Sequence, residues 1–572
     1  MIYYKRHISI LILLISTLLI ASLFLCKESE RENIDESFKK ALDITFSEKS
    51  GFYEDAFELT ISTTGGTVYY TLDGSEPNKN SIKYEEPIFI TDASKNDNVY
   101  SMRMDVSTGF DKEEIEKISS DYPDYQLPDY KIDKATVIRA VAYDGKGNYG
   151  EVKSETYFVG YSKKNGYKGM KVLSVITDPD NLFDYETGIY ITGEEYDKYV
   201  NKYRGAGEYY WREEFWGFWD ANYRKRGIKW ERKAECQFFD ETGKMTLSQM
   251  CGIRIHGGVS RGYNPKSLNI YARKEYDGNK RFQADLFGTG YFPDTITLFQ
   301  GGNDVRTKAK DYVISEAVQD LDVAIMNYVP YVMFLDGEYW GIYWLNEKYD
   351  ARYLEYYYGV NKDNVVMIKN GELTEGDDED IKYYTNMYEF CSKADMTESS
   401  NYERACEMID IDSYVDYYAI MIYIARYGDW PWMNYALWRV DKTDESFYGD
   451  GKWRWMIFDL NSPGFSDDLD SVDYVMNHDE MFQNMMTNNN FSNKMMERIE
   501  ELADTIFEED RMLEILSDYQ MFIEEPMREN DRRFFGDDSL SEFKKQINEL
   551  SVFFKERKEY LLPMLKKYRH TF

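Results

Sequence analysis

The chain has 572 residues, 43% of them hydrophobic and 17% aromatic, with a formal net charge of −34. That length exceeds what one hydrophobic core holds, so two or more domains are expected, and this density of aromatics excludes a disordered chain. The acidity excludes a nucleic-acid partner, whose phosphates need a basic face, while four His and five Cys without a CxxC pair argue against a histidine-rich metal site or a structural zinc.

At the N-terminus, Lys5, Arg6 and His7 precede an apolar run from Ile8 to Cys26. This is a basic flank followed by enough apolar chain to span a bilayer. An uncleaved anchor is the first reading and a cleaved signal the second. A lipidated Cys26 comes third, because Phe24 and Leu25 stand where a lipobox needs small residues. All three place residues 27–572 outside the cytoplasm, with the positive flank inside. Residues 27–43 are charged and lack strong periodicity, as a stalk does.

The block 44–160 reads as all-β. Phe57, Leu59 and Ile61 alternate with polar residues, Thr67–Leu72 and Ala135–Tyr143 give further strands, and Asp73-Gly74 and Asp144-Gly145 mark turns. A β-sandwich is expected. The stretch Tyr70-Thr-Leu-Asp-Gly-Ser-Glu-Pro77, followed by Val137–Tyr143, resembles the immunoglobulin-like module appended to chitobiase and β-hexosaminidase chains, usually a spacer. Residues 101–131, acidic and rich in turns, look like an insertion in it.

From residue 168 strands and helices mix. Lys171–Ile176, Leu298, Val329–Phe334 and Tyr339–Trp344 read as strands, with a hairpin turn at Asp336-Gly337; Asp311–Asp320 reads as a helix, and the chain after 490 as helical. The aromatic-rich segment 203–230 reads as a packed cover. Cys236 with Cys251, and Cys391 with Cys406, are spaced so that each pair can close a short disulfide loop, which sequence alone leaves open.

Three segments carry candidate chemistry. In the first, Gly257, Gly258 and Ser260 lie between two strands, where backbone N–H groups can approach phosphate; Arg261 follows, and Lys266 starts the next strand with an ammonium that can reach the same oxygens. In the second, Asp429 and Asn434 have the D-x-x-x-x-N spacing of a protein-kinase catalytic loop, though Tyr427-Gly428 replace the usual His-Arg. There the Asp accepts the substrate hydroxyl proton and the Asn holds a metal. In the third, the apolar run Trp453–Phe458 ends in Asp459, aiming a carboxylate out of a rigid element, as a Mg²⁺ ligand needs. Glycine loop, Lys, Asp…Asn and Asp come in the kinase order.

The stretches 252–273, 331–350, 428–440, 453–465 and 553–561 together resemble the spore coat protein H (CotH) kinase-like family, from about 168 to 572. The resemblance implies a multidomain chain: a β-sandwich module, then an α+β atypical protein-kinase-like two-lobed domain with a helical C-terminal part. It implies ATP and Mg²⁺ (or Mn²⁺) as cofactors and Ser or Thr of secreted, spore-coat or cell-surface proteins as acceptors. Lys266 and Asp429 would be catalytic. Gly257, Gly258, Ser260, Arg261, Lys266 and Glu347 would bind nucleotide, Glu347 at the hinge. Asn434 and Asp459 would hold metal. Glu316 is the candidate ion-pair partner of Lys266, and Arg306 an alternative phosphate contact. One departure is Asp459-Leu460-Asn461, where the family commonly has Asp-x-Asp. A non-catalytic surface protein that binds glycans or proteins is the alternative, favoured by the β-module and by Asn461. A carboxylate-pair glycosidase ranks third, since no two carboxylates are singled out for it.

Overall fold

The computed structural model describes residues 42–118, 123–160, 167, 169–206, 215–461 and 464–569. The expected membrane segment lies outside them, and among the described residues no helix is long and apolar enough to cross a membrane. The expected stalk ends slightly earlier than residue 43: Leu42 is already buried in the core of the next unit.

The N-terminal unit is a β-rich module. Its strands are β1 (Ile44–Phe46), β2 (Gly51–Tyr53), β3 (Phe57–Leu59), β4 (Ile61–Thr63), β5 (Thr67–Thr71), β6 (Ile82–Lys83), β7 (Ile88–Ile90), β8 (Thr136–Tyr143) and β9 (Lys153–Val159). β1 pairs with β4 and β3 with β7, while the main sheet has the order β2-β9-β8-β5-β6. Because side chains alternate across a strand, Ile138, Ala140 and Ala142 of β8, with Tyr157 of β9, point into a private core with Ile44, Leu59, Ile61 and Ile90.

The other face of the module does not stop at its own boundary. Phe158 stacks on Phe52 at 4.5 Å between ring centroids and meets Phe239 and Phe334 edge-on at 5.4 and 5.0 Å. Ser50 donates to Gln237, and Gln237 donates to the carbonyl of Ser154. Phe158, Ile132 and Ala135 therefore belong to the same hydrophobic core as the following unit. The segment expected as an insertion is a strap: Val106 and Ile115 are buried in the next unit's second core, and Ser107 Oγ donates to the carbonyl of Gly262.

That next unit is a closed barrel of β10 (Lys171–Ile176), β11 (Arg232–Phe239), β12 (Met245–Ile255), β13 (Leu268–Tyr271), β14 (Thr295–Phe299), β15 (Tyr328–Leu335) and β16 (Glu338–Glu347), in the order β10-β11-β12-β13-β14-β16-β15. The single parallel pairing, β10 with β15, closes it. Leu173, Val175, Phe238, Ile253, Ile270, Leu298 and Leu345 fill the interior, and Val172, Val332, Phe334 and Trp344 face outward into the larger core. The β15–β16 hairpin turns at Asp336-Gly337, both at positive φ, 46° and 88°, as a tight Asp-Gly turn requires. Trp216, Trp219 and Tyr223 of the aromatic-rich segment cover one barrel end, as buried side chains.

A second sheet, β17 (Val365–Lys369), β18 (Glu372–Glu375), β19 (Ala436–Val440) and β20 (Arg454–Met456), has the order β18-β17-β19-β20. It lies among helices, chiefly α1 (Lys310–Val318), α2 (Ile381–Lys393), α3 (Ile411–Tyr423), α4 (Asn489–Asp504), α5 (Glu509–Phe535) and α6 (Ser541–Leu565). α5 runs back to the barrel, where Asn530 Oδ1 accepts from Ile342 N at 3.1 Å. Among the described residues no disulfide forms: Cys236, Cys251, Cys391 and Cys406 are free thiols, and the sulfurs of Cys236 and Cys251 lie 3.2 Å apart inside the barrel.

Because module and barrel share one core, they should unfold together. Phe158→Ala is expected to cost about 3 kcal/mol and to leave a single thermal transition. A separate early transition of the module in calorimetry would contradict the shared core.

Candidate functional site

The buried helix α3 delivers the chain to Arg426, which is 1% exposed. One nitrogen of its guanidinium, NH2, donates to Asp429 Oδ1 at 2.9 Å and to the carbonyl oxygen of Asp459 at 3.1 Å. Asp429 Oδ2 accepts from Asn434 Nδ2 at 2.8 Å. Asn434 and Asp459 both adopt left-handed backbone, φ 57° and 59°, a conformation that Asn and Asp tolerate best among residues with a Cβ. Asp429, Asn434 and Asp459, which the sequence places in two separate segments, thus meet around one buried arginine.

Asp459 Oδ1 accepts from Asn461 Nδ2 at 2.7 Å. The same amide nitrogen donates to Asp311 Oδ2 at 2.9 Å, and Asn461 Oδ1 accepts from Asn303 N at 3.0 Å. Asp311, in the first turn of α1, also accepts from Leu460 N at 2.7 Å. Burial, and then the neighbouring Asp459, push the Asp311 carboxyl up to about 7. Asn461 is therefore a neutral clasp between two carboxylates; a third carboxylate at that position would add repulsion in a buried place.

A divalent cation needs oxygen ligands. Among the described residues, Asp459 Oδ2 and the Asn434 carbonyl oxygen have no hydrogen-bond partner, and both residues are partly exposed. Both are oxygen donors of the kind such a cation takes. No three His, Cys, Asp or Glu side chains cluster as a ready metal site among the described residues, so any ion here would rely on one carboxylate and one amide.

The glycine loop follows β12. Gly257 has φ 110°, and a Cβ there would lie 2.3 Å from Ser260 Oγ, so only glycine fits. Gly258 is exposed, with open space around it. Arg261 turns inward: its Nε donates to the Gly257 carbonyl at 2.8 Å and its NH1 to those of Tyr223 and Lys225 at 3.0 and 3.2 Å. Burial, with Arg226 and Arg224 nearby, lowers its pKa to about 9.

Lys266 does not project toward phosphate as expected. It is fully buried, its Nζ donates to the carbonyls of Arg261 and Tyr263 at 2.5 and 3.0 Å, and it sits 3.7 Å over the Tyr223 ring. Burial pushes its pKa well down. Lys266 lies two residues before β13, and its ammonium is buried against the loop carbonyls that it ties. Three further expectations meet the same outcome. Glu347 is 1% exposed and accepts from Asn327 N, Asn327 Nδ2 and Tyr357 OH, so its carboxylate clasps the barrel end rather than a ligand. Arg306 packs 3.5 Å over Phe535 and pairs with Asp124 rather than standing free for a phosphate. Glu316 is half-buried on α1 and makes no ion pair with Lys266.

The cation that does stand beside Asp459 is Lys369, at the end of β17, 4.1 Å over the Phe458 ring and within electrostatic range of Asp459 and Lys348. His256, at the root of the glycine loop, is held down to about 3 by burial and by Lys369, Arg261, Arg226 and Lys348. Lys369 is thus within electrostatic range of both His256 and Asp459, and Lys348 of His256 and Lys369. Lys348 also lines a polar cavity of about 490 Å³ with Arg254, Arg273, Asp350, Arg352 and Glu375. The sequence carried a signal for Lys369: Val365–Ile368 is an apolar run ending in a charge, the same pattern that singled out Asp459.

The chain matches the family described as CotH kinase protein over residues 253–561, more than half its length, and belongs to that family. Residues 57–157 match the family described as Fn3 associated. No curated protein matches the chain.

Two outcomes follow. Lys266→Met should lower the melting temperature, because two buried carbonyls lose their donor at a cost of about 2 kcal/mol; an unchanged temperature in thermal unfolding would contradict the tying role. Asp311 has a folded pKa raised from 3.8 to about 7. Its contribution to stability is therefore complete below the unfolded value and is lost as pH rises through about 7. Denaturation in metal-free buffer between pH 4 and 8 should show a falling slope that is shallower in Asp311→Asn.

Proposed function

We propose that this protein is an extracytoplasmic atypical kinase that transfers the γ-phosphate of ATP to a Ser or Thr hydroxyl of a secreted or cell-surface protein. One observation supports the reading: the Arg426 guanidinium donates both to the Asp429 carboxylate and to the backbone carbonyl of Asp459 while Asn434 bonds Asp429, so the two segments that carry these residues are tied at one point. The barrel would act as one lobe and the helical part with its four-stranded sheet as the other. The polar cavity beside Lys348 suits a nucleotide in size. The apolar run Ile8–Cys26 behind its basic flank supports export, and makes the membrane a partner of the N-terminal segment.

In this mechanism Asp429 orients the acceptor hydroxyl and takes its proton as the oxygen bonds to the γ-phosphorus and the bond to the β–γ bridging oxygen breaks, releasing ADP. Arg426 fixes the carboxylate so that it meets the hydroxyl without reorganising. Asp459 Oδ2 and the Asn434 carbonyl would hold Mg²⁺ or Mn²⁺, which would supply charge neutralisation for the phosphates. Gly257, Gly258 and Ser260 offer a close backbone approach, and Lys369 and Lys348 offer cations; Lys266 and Arg261 act indirectly, by shaping the loop.

A second reading, a surface protein that binds nucleotide without transferring phosphate, has its own support: both carboxylate oxygens of Asp429 already accept hydrogen bonds. The full-length protein with labelled ATP, Mg²⁺ or Mn²⁺ and a generic acceptor protein separates the two. Transfer is expected, lost in Asp459→Ala and about 100-fold slower in Asp429→Asn, with nucleotide binding kept in the latter. Nucleotide binding without transfer under either metal would favour the second reading.

A further inference from the structure

A cavity of about 140 Å³ lies beside the segment that carries Asp429. Pro431 and Trp432, just after Asp429, form part of its wall; Tyr384, Tyr388, Tyr435 and Trp455 supply aromatic surface, and Asp479 supplies a carboxylate. Its size is close to that of the ~150 Å³ apolar cavity known to take benzene, so it admits a compact head group rather than a nucleotide.

Asp479 is unusual in this setting. It is 8% exposed and caps the helix Glu480–Met485, with Oδ1 accepting from Met481 N at 3.0 Å and Phe482 N at 3.1 Å, while Oδ2 accepts from Tyr418 OH. All three donors are neutral, and among the described residues it makes no ion pair. The nearest ring with a basic nitrogen, His478, also lines the cavity, but its Nδ1 is 2.7 Å from the Tyr474 carbonyl oxygen and so is committed to donating there. Burial raises the Asp479 pKa, against those hydrogen bonds. A buried carboxylate without a counter-charge is costly, and a wall of Tyr and Trp attracts a cation through the negative ring faces. Both features point the same way. The net charge of −34 adds a general attraction for cations.

We infer that this cavity is a binding site for an alkylammonium group, either the head of a free methylated amine or the side chain of a lysine on a protein. The site does not depend on phosphoryl transfer, and its occupancy is read without nucleotide.

The test is titration calorimetry on the full-length protein with three probes: choline, Nα-acetyl-lysine amide, and 3,3-dimethylbutan-1-ol, the neutral isostere of choline. At least one cation should bind saturably, and choline about tenfold or more tighter than its isostere, the factor that a partly desolvated cation–π contact supplies. Asp479→Asn should weaken the cation about tenfold while leaving the melting temperature nearly unchanged, since Asn also caps a helix. Trp432→Ala, at a half-exposed position, should weaken it severalfold. Tighter binding of choline identifies a free methylated amine as the source, and tighter binding of the lysine amide a protein side chain. Choline binding no tighter than its isostere with no saturable binding of the lysine amide, no saturable cation binding at all, or native affinity in both variants would each overturn the inference. Should Asp479→Asn fail to fold, Trp432→Ala and the isostere comparison decide it.

Discussion

The site depends on one buried guanidinium. Arg426 sits at 1% exposure with a single nitrogen shared between the Asp429 carboxylate and the Asp459 carbonyl. Taking a guanidinium out of water costs several kcal/mol unless its donors are satisfied, so the surrounding chain must bring acceptors to it. Two segments do so at the expense of left-handed backbone at Ala425, Asn434 and Asp459. Strain of this kind persists only where the neighbourhood over-determines it, and here the hydrogen bonds to Arg426, Asn434 and Asn461 do that.

Around this centre the polar groups fall into layers. Asp459 is partly exposed, Asn461 stands behind it, and Asp311 stands behind Asn461, each linked to the next by an amide hydrogen bond. An amide at the middle position lets two carboxylates share one donor without a third negative charge. Seen from the sequence alone, Asn461 was a departure from an Asp-x-Asp pattern; in the structure it is the neutral spacer that makes the burial of Asp311 tolerable.

Much of the architecture was legible from hydrophobic patterning. β10 is Lys171–Ile176 as read, and the Asp336-Gly337 hairpin and the helical C-terminal part stand where their turn residues and periodicity put them. That Asp429 and Asn434 are neighbours was legible from their D-x-x-x-x-N spacing, and Asp459 stood out as the charge ending an apolar run. Lys266 misled because it lies just before β13 (Leu268–Tyr271) rather than on it, so strand alternation says nothing of where its side chain goes. Its ammonium is buried against the Tyr223 ring. Arg426 had no local signature: it stands just past the end of α3, three residues before Asp429, and nothing in the spacing announces the contact. The joint between module and barrel was equally hidden. Phe158 lies on a strand that also serves a private core, and only pairing in three dimensions shows which of its two faces meets Phe239 and Phe334.

That joint changes what the N-terminal module can be. A spacer on a flexible tether lets its cargo wander, whereas a module welded through stacked phenylalanines and a shared core carries its outer loops at a constant offset from the Arg426 centre. Whatever engages those loops, a wall polymer or another protein, would be presented to the cleft at one distance and one angle. The module then works as a ruler, and the length it measures is set by the packing of Phe52 and Phe158 on the barrel rather than by any linker.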